Sequence, residues 1–339
     1  MRRGAIAPLI GIGVVAGGIA AAVALALPWL PTPASKEAAR IHPLFWFVIV
    51  ICIVVFAAVT AVMGYTIIRF RAAPDDDSDG PPIHGHTGLE IVWTLIPTLL
   101  VTAIGIVSAI VLARNDALGA NVLRVNVTAQ QFAWSFSYPE ANGLTSGTLR
   151  LPKDRSVLLV FHAKDVIHSF WVPQFSQKQD TVPGIETRLH ITPNRLGTFP
   201  VICTELCGLG HAVMRTQAIV MTPAAFDKWL HGQSSAVASP NSSVAGAAVF
   251  KNNACGACHT LKAAGTTGKV GPDLDKLAAE AQAAGQPLQD FVRQSIVDPN
   301  AYVAKGYAKN VMPATFGTAL SKQELDALVQ YLISSSKKG

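Results

Sequence analysis

Cys203, Cys207, His211 and Met214 fall within the twelve-residue run CTELCGLGHAVM. Two thiols, an imidazole and a thioether are mostly soft donors, and that combination selects copper. A single blue-copper ion uses one cysteine, two histidines and a weak methionine. Here there is a second cysteine, and the upstream run DVIHSFW offers a further histidine, His168. Two bridging thiolates with one imidazole each, plus Met214 and a backbone carbonyl, are donors enough for two copper ions. Such a pair can share one electron with little change of geometry, which is what a fast relay needs. A Cys203–Cys207 disulfide or a structural zinc would use part of the same set, but zinc leaves Met214 without a role. Residue type alone does not separate His168 from His162, His190 and His231 in the same region.

A second constellation follows. Cys255-Gly-Ala-Cys258-His259 is the c-type heme attachment pattern, in which two thiols form thioethers and the adjacent histidine binds iron. Downstream of His259 there is no other histidine and one methionine, Met312 in NVMP. Met/His ligation is the arrangement that raises the heme potential. The alternative leaves Met312 in a core and the heme open or lysine-ligated.

Chemistry of this kind needs elements to position it. The 339 residues are 50% apolar and 14% charged, a balance that excludes a disordered or collagen-like chain and directs attention to membrane spans. The formal charge of +6 is scattered, with no basic run interleaved with aromatics, so nucleic-acid binding is excluded. Residues 1–34 read as a signal peptide or an extra membrane span: Arg2 and Arg3, an apolar stretch, then small residues around Thr32 to Ala34. Residues 35–117 read as a transmembrane hairpin with spans over about 44–68 and 91–112, joined by a polar loop containing PDDDSDG. Lys36 and Arg40 balance Arg69 and Arg71, and Arg2 and Arg3 break the tie, placing the large C-terminal region outside the cell.

Residues 118–231 hold short β-rich runs and predict an all-β sandwich or barrel. A Ser/Ala/Pro linker follows over 232–243, and 244–339 is helical in texture, with Ser321 and Glu324 as a capping box before its last helix. The predicted fold class is therefore multidomain: a transmembrane α-helical hairpin, an all-β copper domain and an all-α heme domain. A flexible tether of about a dozen residues would hold the heme domain at an effective concentration near millimolar.

From about Leu44 to Leu230 the chain resembles subunit II of heme–copper cytochrome c oxidases, on DVIHSFWVP, KQDTVPG, CTELCGLGHAVM and HTGLEIVWTLIPT. The resemblance implies a cupredoxin-like domain whose dinuclear CuA centre is held by His168, Cys203, Cys207, His211, Met214 and the carbonyl of Glu205. It implies a magnesium ion on the Glu205 side chain at the boundary with subunit I, and Glu90 at the mouth of a proton channel; an ordinary helix-start charge is the plainer reading of Glu90. In the family's electron-accepting aromatic patch, Phe132 stands where a tryptophan is usual, and Trp134 is either part of that path or a core aromatic. The C-terminal region resembles small class I cytochromes c, down to GPDL at 271–274, with covalent heme c on Cys255, Cys258, His259 and Met312.

Together these imply the electron-input subunit of a caa-type cytochrome c oxidase in a bacterial cell membrane. Electrons would pass from a donor, such as a cytochrome c or a quinol–cytochrome c reductase, through heme c and CuA to subunit I. Subunit I would reduce oxygen to water with proton translocation, and subunit III would be a further partner. The spans contain no histidine that could hold an oxygen-reducing heme and copper. Two alternatives are a subunit of a copper-containing nitric oxide reductase and a membrane-tethered copper chaperone, the second having no use for a covalent heme.

Overall fold

The structure is a computed structural model that describes residues 3–71, 75, 79–80, 82, 84–117, 119–141, 143–237, 243–314 and 316–336. The chain divides into two compact units, residues 1–31 with 39–115, and residues 32–38 with 116–339.

The first unit is helical. Three helices, α1 (Arg3–Ala26), α2 (Lys36–Arg69) and α3 (Thr87–Asp116), are each long and apolar enough to cross a membrane. Their apolar side chains face outward, as at Val14, Val54, Ile68 and Val101, so only lipid can cover them. The segment expected to be a signal peptide or extra span is thus a helix. It lies close against α2, where a Cβ added at Gly17 would be 3.2 Å from that of Ala57.

Both hairpin helices run beyond their apolar stretches because their starts are capped. Ser35 Oγ accepts from Ala38 N at 3.0 Å. At the head of α3, His86 Nδ1 accepts from Leu89 N at 3.3 Å while Glu90 Oε1 accepts from His86 N at 3.1 Å, a reciprocal cap. The loop expected between the spans lies largely outside the described residues.

The second unit begins with two five-stranded sheets. One has the order β3 (Leu144–Ser146), β2 (Ala133–Tyr138), β1 (Leu123–Gln130), β5 (Val157–Ala163), β8 (Thr187–Ile191). The other has the order β4 (Leu149–Pro152), β10 (Arg215–Met221), β9 (Gly197–Cys203), β6 (His168–Val172), β7 (Gln177–Thr181). Alternate residues of each strand point inward, as Leu123, Val125, Val127 and Ala129 do on β1, and the inner faces share one core. Phe170 is its aromatic hub, with ring centroids 5.5 Å from Trp134, 5.3 Å from Phe161 and 6.4 Å from Phe136.

Residues 32–38 are stitched to this sandwich. Ala34 N donates to Gln174 O, Lys36 N to Thr192 O and Asn194 N to Ala34 O, while Glu37, 3% exposed, accepts from Thr192 N at 2.8 Å.

Helix α4 (Pro223–Val237) extends into the stretch expected as a linker from Gly232, and residues 238–242 of that stretch lie outside the described residues. Beyond it come α5 (Ser243–Asn252), the single turn α6 (Cys255–Cys258), a small ribbon of β11 (Thr260–Leu261) and β12 (Thr266–Thr267), then α7 (Leu277–Ala283), α8 (Leu288–Val297), α9 (Phe316–Ala319) and α10 (Lys322–Ser336). The capping box is present: Ser321 N donates to Glu324 Oε2 at 2.8 Å and Glu324 N to Ser321 Oγ at 3.3 Å. Helix α10 buries Leu328, Val329, Tyr331 and Leu332 in a second core separate from that of the sheets.

Candidate metal and heme sites

Three neighbouring strands deliver the sulfur and imidazole donors to one end of a sheet. His168 opens β6, Cys203 closes β9 opposite Phe170, and Met214 immediately precedes β10. Cys207 and His211 lie on the loop between β9 and β10. Main-chain bonds hold that loop down, Cys203 N donating to Met214 O and Thr204 N to Ser169 O.

The donors form two sets. Cys203 Sγ is 4.0 Å from His168 Nδ1 and 3.3 Å from the carbonyl oxygen of Glu205. Cys207 Sγ is 3.6 Å from His211 Nδ1 and 3.8 Å from Met214 Sδ. The two sulfurs are 3.9 Å apart, about twice a disulfide bond length, so both are free thiols. His168, Cys203 and Cys207 are all buried, and theirs is the one such cluster found among the described residues. His162 instead faces Glu186 at 3.8 Å, and His190 is on β8.

Asp165 Oδ1 is 2.8 Å from His168 Nε2, which holds the imidazole with Nδ1 toward the thiol. Burial raises both thiols, but the hydrogen bonds of Cys203 with His168 and with the backbone around Ser169 and Glu205 bring it down to about 6. Cys207, with burial and the neighbouring Cys203 charge against it, is pushed up to about 12. At neutral pH the metal-free pair therefore carries one negative charge, shared between two adjacent sulfurs.

Glu205 exposes its side chain while its carbonyl turns to Cys203. Trp134, 1% exposed, is a core residue whose ring is also 6.2 Å from that of His168. Phe132, 7% exposed, lies against the copper-side loop, where a Cβ at Gly210 would come within 2.4 Å of its ring. Glu90 belongs to the other unit, as the cap of α3.

The heme motif lines a cavity in the helical part of the second unit. Cys255, Cys258, His259 and Met312 share its wall with apolar side chains such as Leu274 and Val292. His259 Nδ1 is 2.9 Å from Pro272 O, which leaves Nε2 free to bind iron. Gly271 lies flat on the imidazole; a Cβ there would come within 2.4 Å of the ring. Burial pushes the Cys255 thiol up to about 12 and raises Cys258. Sequence reasoning missed Gln131 and Asp165, the groups that support the copper-side ligands; a polar residue at a hairpin tip carries no signal until the loops it bridges are placed.

The family model for the periplasmic domain of cytochrome c oxidase subunit II matches residues 145–222, that for its transmembrane domain residues 22–111, and that for cytochrome c residues 243–336. Cytochrome c oxidase subunit 2 of Alkalihalophilus pseudofirmus is 33% identical, covering 89% of this chain and 89% of that protein. The chain belongs to the cytochrome c oxidase subunit II family. Its relative from Bacillus subtilis is 29% identical over 90% of this chain, and that from Synechocystis is 35% identical over 59%. Matches covering about nine-tenths of the chain cannot stop before residue 243, so the likeness to the two Bacillus-type proteins extends into the cytochrome c region. The chain is accordingly a subunit of a heme–copper oxidase, with membrane-spanning helices, an all-β domain and a cytochrome c domain.

Proposed function

We propose that this chain is the electron-input subunit of a caa-type cytochrome c oxidase: it takes electrons at a covalent heme c, passes them to a dinuclear CuA centre, and delivers them to subunit I. The observation that carries this reading is the pairing of donors, each thiol having its own imidazole nitrogen and its own weak third donor. A structural zinc would not use that third pair, and a disulfide is too short for it. Cys203, Cys207, His168, His211, Met214 and the Glu205 carbonyl would hold the copper pair; Cys255, Cys258, His259 and Met312 would hold the heme. When bound, these groups supply reversible one-electron exchange.

The chain's own residues keep that exchange fast by moving little. The two sheets fix the strand ends, Asp165 holds the His168 ring, and Pro272 and Gly271 hold the His259 ring. The apolar walls of both sites exclude water, and so limit the solvent reorganisation that accompanies a change of charge.

The β and cytochrome domains lie on the outer face of a bacterial cell membrane, with subunits I and III as partners and a cytochrome c or a quinol–cytochrome c reductase as donor. The Glu205 carboxylate is left for a magnesium ion at the subunit I boundary. Purification of the intact complex tests this. The expected result is co-isolation with a heme–copper subunit, a c-type heme band and oxygen consumption; turnover with nitric oxide but not oxygen contradicts it.

A further inference from the structure

The two-residue turn between β1 and β2, Gln131 and Phe132, touches both candidate sites. The Phe132 ring covers the copper-side loop at Gly208 and Gly210. Phe132 and Ala133 also join Cys255, Cys258 and Met312 in the wall of the heme cavity. Gln131 Nε2 donates to the Cys207 carbonyl at 2.5 Å, and Gln131 N donates to Asp165 Oδ2 at 2.6 Å. The other oxygen of Asp165 is the one that holds His168. One turn is therefore bonded to the Cys207 loop, bonded through a single carboxylate to the His168 loop, and built into the wall of the other cofactor's cavity.

The surroundings of this contact are polar. A second cavity beside it is lined by Trp134 and Gln130 from the sheets and by Asn253 and Glu324 from the helical region. Trp134 Nε1 and Gln130 Oε1 are buried there without a hydrogen-bond partner among the described residues. An apolar ring within a polar margin has the composition of a specific docking contact.

We propose that this turn is the junction of the two cofactor sites: Phe132 is the seat on which the heme cavity closes, and Gln131 and Asp165 are positioning residues that fix both copper-side loops relative to that seat. The inference deepens the electron-input reading and rests on it. Transfer across the junction is one electron, lost by the ferrous heme and gained by the oxidised copper pair, with no bond made or broken. A displacement of about 1 Å between reacting groups can cost about a hundredfold in rate, so a turn that holds both sides has a purpose that a surface hairpin lacks.

The test uses the intact chain loaded with heme and copper, reading the copper paramagnetic resonance spectrum and the rate of copper reduction after flash photoreduction of the heme. Phe132→Ala should leave the copper spectrum unchanged and slow the transfer at least about tenfold. Phe132→Trp, which keeps a ring at the seat, should retain the rate and show heme-quenched fluorescence from the new indole. Gln131→Leu should alter the copper hyperfine pattern, because the Cys207 carbonyl loses its donor, while the heme spectrum stays fixed. An unchanged rate in Phe132→Ala over an intact copper spectrum overturns the seat, and an unaltered hyperfine pattern in Gln131→Leu overturns the positioning role. A wild-type chain without a paired-copper signal would instead remove the reading beneath both.

Discussion

The copper-side site and the heme cavity solve the problem of holding a redox group in opposite ways. Around Cys203 and Cys207 the donors already touch in pairs at 3.3 to 4.0 Å, on strand ends whose core is filled by the protein's own aromatic side chains. Around His259 the cavity lies within the second core, whose Phe250, Leu274, Phe291 and Val292 face it. The sandwich is complete without its metal, whereas the helical region is completed by its porphyrin. Loss of the cofactor should therefore be a local event in one and a global event in the other.

The largest expected effect follows directly. Cys255→Ser combined with Cys258→Ser, which prevents covalent attachment, should abolish cooperative unfolding of residues 243–336 while stripping copper from the wild type leaves the β-sheet transition in place. Hydrogen exchange resolved by segment measures both. Equal loss in the two regions would erase the contrast. Next, Phe170→Ala removes the aromatic hub and should cost about 3–5 kcal/mol in the sandwich by denaturant titration, with the heme spectrum retained. Met214→Leu should keep the fold and shift the copper potential, and Met312→Ala should abolish the near-infrared charge-transfer band of methionine-ligated ferric heme. An unmoved potential or a surviving band would remove that methionine from its site.

The smallest effect is on protons. Cys203 has lost its proton above about 6 and Cys207 keeps its own until about 12, so at pH 8 the metal-free pair holds one. Copper requires both thiolates, and loading at pH 8 should release about one proton per chain from the pair. Below pH 6 the release should rise toward two and the affinity fall, as calorimetry in buffers of different ionisation enthalpy would record.

Much of this was legible in the residue order because the chemistry is local. CxxCH and CTELCGLGHAVM each place several donors within one loop, and the sandwich is signalled by short β-rich runs. The selection of His168 was not local: it lies 35 residues before Cys203, and only the register of β6 against β9 brings the two together. Residues 32–38 were read by their small side chains as a processing site, yet their role in the fold comes from partners near residue 192 that no nearby pattern announces. Glu90 reads as a channel acid by resemblance, while the geometry gives it the plainer work of capping α3. Gln131 had no signal at all, since its meaning lies wholly in what the fold sets beside it.

The central claim is that two thiolates with two separate imidazoles hold a pair of coppers in a chain that also carries one heme. Metal analysis of the fully loaded chain, combined with paramagnetic resonance, tests it most directly. The account predicts two coppers per iron with one unpaired electron spread over both copper nuclei; a single copper, or zinc in place of the pair, would contradict it.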